Sequence, residues 1–294
     1  MEEREFYQYG NIKVGCGNFD LPPILIGTMF YQNQTLIDRK NEKIFDVQKA
    51  KKRIQNHIDL AEKYKLPAMI EISASTPEAM ERYLDFYLTN YSTPFILGGT
   101  LEARLAGLKY LHDNNVKNSE FIYNAISNLK NRQEVKALQT YKVRTVVVLI
   151  LGSPNMTSTQ RFSYLMDKNQ PENINIIEGL KKIGINEIWV DGGVINLESL
   201  AHIIETQQII STSLKIPVGT APNLFLFKYS SPRLNKRFHT RYRRASIMFI
   251  TSWFSNFIFY GAIEDAKECF ASAYQSFEFK KIIKNNKIKL WNNI

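Results

Sequence analysis

Four side chains that can hold or polarise a small molecule sit at or near the carboxyl ends of short apolar runs. Asp191 closes the run Glu-Ile-Trp-Val-Asp, Asn124 lies near the end of residues 121–126, Glu71 falls within 68–73, and Asn223 follows 216–220. A carboxylate accepts hydrogen bonds from N–H groups, and a carboxamide donates and accepts at once. A fifth place, Gly98-Gly99-Thr100, follows the run at 94–97. Such a set can orient and polarise a bound molecule. Each residue also has a purely structural role available. Asp191 could cap a helix or turn before Gly192-Gly193, and Asn124 could tie off a strand-end carbonyl. For these two the strand-end position favours a ligand role. For Asn223 an Asx-turn is an equal alternative.

Other chemistries find little support. His57, His112, His202 and His239 share no spacing, and Ser73 and Ser153 lack the strand–elbow context of a nucleophile. Two cysteines, Cys16 and Cys269, make neither a disulfide scaffold nor a cysteine zinc site. Neither a G-x-G-x-x-G nor a P-loop pattern occurs.

The elements that must carry these residues alternate regularly. The run Pro-Pro-Ile-Leu-Ile-Gly-Thr-Met-Phe-Tyr (22–31) reads as a strand buried on both faces, its prolines placed where no ladder hydrogen bond is lost. Seven similar runs follow, at 68–73, 94–97, 121–126, 143–151, 187–191, 216–220 and 257–260. Between them, apolar residues at helical spacing predict helices over 43–65, 76–88, 102–112, 134–139, 173–183, 197–214 and 241–254, with one more over 264–279. Thr76 before Pro77 is a helix N-cap signal. Residues 152–170 read as a polar loop. Eight strands alternating with helices predict an α/β fold, a (β/α)8 TIM barrel, over an open doubly wound sheet. Residues 6–16 predict a β-hairpin turning at Gly10-Asn11 and closing the barrel bottom. One domain spanning 1–294 is expected, with residues 1–20 forming the hairpin segment and 280–294 a basic tail.

Of a formal charge of +10, seven positive charges lie between Lys228 and Arg244 with no acid among them, and without them the excess falls to +3. A positive rim could focus an anionic ligand or an acidic partner. It could equally be a solvated face, and nucleic acid is the weakest of the readings. The acidic start carries no signal-peptide pattern and no apolar run suits a membrane span, so a cytoplasmic location is expected.

The segments Pro-Ile-Leu-Ile-Gly-Thr-Met-Phe-Tyr (23–31), Thr-Pro-Phe-Ile-Leu (93–97), Tyr-Asn-Ala-Ile (123–126), Pro-Val-Gly (217–219) and Tyr-Gly-Ala-Ile-Glu (260–264) together resemble the H-subunit family of tetrahydromethanopterin S-methyltransferase. The resemblance runs from the hairpin to the last helix. It implies a barrel that binds a methyl-tetrahydropterin, of the tetrahydromethanopterin or tetrahydrofolate type, and passes its N5 methyl to a cobalt corrinoid on a partner protein docked at the open mouth. The methyl transfer so implied requires no protein-bound metal. It further implies a homodimer, peripheral to a membrane methyltransferase complex at the inner face. Asp191 then stands as the acceptor for the pterin edge and Asn124 as a second pterin contact. Asn223 stands as the catalytic donor to N5, although Gly219-Thr220-Ala221-Pro222 departs from the family pattern. Glu71 stands where the family has an amide, and Gly98-Gly99-Thr100 where it has Asp-Ser-Ser. That missing carboxylate leaves three outcomes open: Glu71 compensates, the ligand differs, or the chain is a non-catalytic member of a methyl-transfer complex.

Overall fold

Alternation along the strands builds a closed cylinder with an apolar interior and a polar top. The computed structural model describes residues 5–153, 155–222 and 236–288, with backbone alone for 236–240. Strands β1 (Phe6–Tyr9) and β2 (Ile12–Gly15) form the antiparallel hairpin, with Tyr9 opposite Ile12. The barrel strands are β3 (Ile24–Met29), β4 (Ala68–Ile72), β5 (Phe95–Leu97), β6 (Phe121–Ile126), β7 (Thr145–Leu149), β8 (Glu187–Asp191), β9 (Val218–Thr220) and β10 (Phe257–Ala262). They pair in parallel in chain order, and β10 closes onto β3. The helices are α1 (Val47–Tyr64), α2 (Pro77–Asn90), α3 (Leu101–Asp113), α4 (Arg132–Thr140), α5 (Ser158–Met166), α6 (Ile176–Lys182), α7 (Leu197–Leu214), α8 (Lys236–Thr251) and α9 (Ala266–Asn285).

Side chains two apart on a strand share a face. Ile26, Met69, Ile96, Ile122, Val147, Trp189 and Phe259 pack with the hairpin residues Tyr7, Tyr9, Ile12 and Val14 in one buried cluster inside the cylinder. The next inward positions toward the carboxyl ends are Thr28, Glu71, Gly98, Asn124, Leu149 and Asp191. Polar residues therefore gather at the mouth because most strands end their apolar alternation there. The outward positions, among them Ile70, Ile72, Leu97, Val146, Val148 and Val190, pack under the helices.

The hairpin plugs the opposite end. The buried Tyr9 hydroxyl donates to Glu187 Oε2 at 3.0 Å, lies 3.1 Å from the Thr145 hydroxyl and accepts from Trp189 Nε1 at 3.2 Å. Arg144 closes an ion pair of 2.6 Å on Glu187. Burial and the Glu187 charge push the Tyr9 phenol well up, so it stays a donor. Replacing Tyr9 with Phe removes this donor from beneath the barrel. A loss of about 1 kcal/mol in urea unfolding is expected; an unchanged midpoint would show the plug to be held by packing alone.

Helix starts follow local signals. Thr76 caps α2 through the Ala79 N–H, as its sequence position predicts. Helix α5 is the main departure from the sequence reading: residues 152–170, expected to be a loop, contain a capping box in which Thr157 and Gln160 exchange side-chain and backbone hydrogen bonds. Helix α9 continues to Asn285, past the expected end at residue 279, and takes Lys280, Lys281 and Lys284 with it. Of the basic segment, Arg241 pairs with Glu268 at 2.9 Å and Arg244 with Asp265 at 2.7 Å. Lys228 and Arg233 lie outside the described residues. Among those described, no helix is long and apolar enough to cross a membrane.

Candidate active site at the barrel mouth

Glu71 and Asn124 meet directly. The Asn124 carboxamide donates to Glu71 Oε1 at 2.7 Å, and the Thr28 hydroxyl donates to Glu71 Oε2 at 2.6 Å. Strands β3, β4 and β6 thus each contribute one polar group at the same height. Glu71 is only 9% exposed. Burial pushes its carboxyl above the usual range, against the pull of the Thr28 and Asn124 hydrogen bonds and the Arg104 charge.

Gly98 explains why this carboxylate fits. A Cβ built on Gly98 would collide with Glu71 Oε1 and crowd the rest of the carboxyl. The space that a side chain just beyond β5 would take is filled by the Glu71 side chain of its neighbour β4. Gly99 follows with φ +100°, a conformation that favours glycine, and a Cβ there would strike the Ala74 carbonyl. Thr100 is spent as the N-cap of α3, its hydroxyl accepting from the Ala103 N–H at 3.3 Å and donating to the Ser75 carbonyl at 3.0 Å. It is thus committed to holding the turn.

Asp191 belongs to the same mouth. It is 5% exposed, and one oxygen accepts from the Gly193 N–H at 2.9 Å. Burial pushes its carboxyl up to about 6, and the Glu71 charge adds to the rise; the Gly193 N–H, with the nearby Thr220 hydroxyl and Ala221 N–H, pulls the other way. Because the folded-state value lies above the ordinary carboxylate value, the fold holds this proton more tightly than the unfolded chain does. Asp191 therefore favours folding at low pH and loses that contribution as pH rises toward 6. Burial works against the Asp191 anion, and a ligand offering N–H groups would stabilise it.

Two arginines stand behind the two carboxylates, Arg161 buried and Arg104 partly so. Arg104 of α3 donates to the Gly99 carbonyl at 2.6 Å and to Glu134 Oε1 at 2.9 Å, and Glu134 also accepts from the Tyr123 hydroxyl at 2.6 Å. This network ties the Gly98-Gly99 turn to the strand that carries Asn124. Arg161 of α5 donates to the carbonyls of Gly192 and Gly193 just beyond Asp191, at 2.7 and 3.0 Å. Neither arginine stands out in the sequence. For Arg161 the available signal is the Thr157…Gln160 capping box, which announces the helix that carries it.

The predicted residues Asp191, Asn124, Glu71, Gly98, Gly99 and Thr100 all fall on this rim, and Asn223 lies outside the described residues. Glu264 accepts from Gln34 at 3.2 Å and pairs with Arg53 at 2.8 Å, holding the loop after β3 to the segment that follows β10. Among the described residues no group of three or more His, Cys, Asp or Glu side chains could hold a metal ion.

Residues 2–291 match the family model described as tetrahydromethanopterin S-methyltransferase MtrH subunit. The tetrahydromethanopterin S-methyltransferase H-subunit of Methanothermobacter thermautotrophicus is 25% identical over 264 residues, 88% of this chain and 85% of that one. The H-subunit of the putative methyltransferase mtx of Methanosarcina barkeri is 28% identical over 152 residues, 51% of this chain and 48% of that one. Among solved structures, a Yersinia pestis dihydropteroate synthase bound to a pterine–sulfa conjugate superposes with a TM-score of 0.62 at 11% identity, covering 94% of this chain and 99% of that one. The 7,8-dihydropteroate synthase of Vibrio fischeri gives 0.61 at 13% identity, covering 95% and 99%. At these identities the structural likeness concerns the fold.

Proposed function

The chain belongs to the MtrH family of tetrahydromethanopterin S-methyltransferase subunits, and on that premise we propose that its mouth grips a methyl-tetrahydropterin edge-on and delivers the N5 methyl group to a corrinoid protein docked above it. The observation that carries this reading is the gathering of two buried carboxylates, Asp191 and Glu71, and the Asn124 carboxamide at one rim. A pterin presents an amino-pyrimidine edge of N–H donors and an amide, and a buried anion facing those donors matches it.

The residues divide the work. Asp191 accepts from the pterin edge. Glu71 supplies the second acceptor, in the space left by Gly98. Asn124 uses its N–H on Glu71 and keeps its carbonyl oxygen for the ligand. The apolar floor of Trp189, Ile122 and Phe259 keeps water from beneath the ring. Breaking the methyl–N5 bond leaves an electron pair on nitrogen, which needs a proton or a strong hydrogen bond; Asn223 is the donor proposed for it. A cobalt(I) corrinoid on the partner would supply the nucleophile. This chain contributes orientation and charge. Assembly with other subunits accords with the family name. A second copy of this chain and a peripheral place at a membrane complex are proposed on the resemblance alone.

The second reading, a non-catalytic subunit with a degraded site, rests on Gly98-Gly99. The Glu71 carboxyl occupying the Gly98 space favours the first. Incubation of the protein with N5-methyl-tetrahydropterin and a reduced corrinoid protein tests the choice: demethylated pterin should accumulate in proportion to corrinoid. No demethylation, together with no measurable pterin binding by the wild-type chain, would favour the second reading.

A further inference from the structure

Arg161 carries more structure than a surface helix requires. It is 1% exposed although it lies on an outer helix. Its Nε donates to the Met156 carbonyl at 3.2 Å, and one Nη reaches both the Gly192 and the Gly193 carbonyl. The other Nη is buried with no hydrogen-bond partner. Burying an arginine without a full set of partners costs stability, so the arrangement needs a return. Gly193 supplies the connection: its carbonyl accepts from Arg161 while its N–H donates to Asp191. A Cβ on Gly193, at φ +71°, would strike the Ile150 carbonyl, so this turn has one geometry, fixed from both sides.

We propose that Arg161 is a positioning residue for Asp191, holding the 192–193 turn so that its N–H faces the carboxylate and supplying the positive charge that keeps the carboxylate ionised beside Glu71. The inference rests on the pterin reading for its purpose but not for its geometry. Among the described residues, the charges that act on Asp191 are that of Glu71 from β4 and that of Arg161 from α5, which is held on the Gly193 carbonyl; Arg104 from α3 acts on Glu71. Without the Arg161 charge, burial and the Glu71 repulsion would be opposed by the hydrogen bonds from Gly193, Thr220 and Ala221 alone.

The test is the titration of the Asp191 carboxyl, read by carbon NMR on aspartate-labelled protein, in wild type, Arg161→Gln and Arg161→Lys. Gln keeps a donor for the turn without the charge, and the Asp191 midpoint should rise above its wild-type value by about half a unit or more. Lys keeps the charge with fewer donors, and the midpoint should stay near wild type while affinity for methyl-tetrahydropterin at neutral pH falls severalfold. A wild-type midpoint in Arg161→Gln overturns the inference, and so does wild-type pterin affinity in both variants. If Arg161→Gln does not fold, Arg161→Met takes its place, with the same rise expected and a wild-type midpoint again overturning the inference. The NMR midpoint needs no ligand, so absence of pterin binding in wild type would sink the pterin reading while leaving the Arg161 inference to stand or fall on its own.

Discussion

Asp191→Asn should weaken binding of methyl-tetrahydropterin by about 10–150-fold, corresponding to about 1.5–3 kcal/mol for a hydrogen bond to a charged acceptor. The side chain keeps its shape, and the Gly193 N–H can still donate to the amide oxygen. What changes is the face offered to the ligand: an NH2 group now meets the N–H donors of the pterin edge. The same carboxyl sets the pH dependence. With its value pushed up to about 6 by burial, and the ligand pairing with the anion, affinity should be level above that pH and fall about tenfold per unit below it. The Asn variant should lose this slope. Calorimetric titration from mildly acidic to mildly alkaline pH measures both effects. A variant that binds as tightly as wild type, or a wild-type affinity that rises with acid, would remove Asp191 from the site.

The second large effect concerns Gly98. Gly98→Asp would put a carboxylate just beyond β5, yet its Cβ would collide with the Glu71 carboxyl. Either Glu71 abandons Thr28 and Asn124 or the strands separate, and overpacking alone costs about 1–3 kcal/mol. With two anions forced together, an overall loss of about 3 kcal/mol or more is expected. Pterin affinity should fall with it. Shortening the neighbour as well, in the double variant Gly98→Asp with Glu71→Ala, reopens the space and should recover most of the stability and much of the affinity. Residues in contact couple in such cycles by about 0.5–3 kcal/mol. Additive behaviour of the two changes in urea unfolding, or tighter pterin binding by Gly98→Asp alone, would mean that Glu71 does not hold the acceptor position.

How far the sequence reaches is clear from particular residues. β8 begins and ends where Glu-Ile-Trp-Val-Asp does: the run is too short for a helix and is bounded by Asn186 and Gly192. The hairpin turn at Gly10-Asn11 and the Thr76 cap follow from local chemistry in the same way. What stays hidden depends on separation along the chain. Glu71 and Asn124 are 53 residues apart, and their hydrogen bond exists only once three parallel strands fix their register. The meaning of Gly98 is likewise invisible until its neighbour is known. A glycine that reads as a lost carboxylate turns out to be the space for another strand's carboxylate. Helix α5 escapes a periodicity reading because it buries few side chains, Arg161 and Leu165 among them, leaving little apolar pattern.

Equilibrium titration of the intact protein with N5-methyl-tetrahydromethanopterin and with N5-methyl-tetrahydrofolate, at neutral pH, is the most direct measurement. Saturable binding well below the millimolar range for at least one of the two is expected, with competition by the demethylated pterin. Affinity no better than millimolar for both would contradict the assignment of this rim to a pterin.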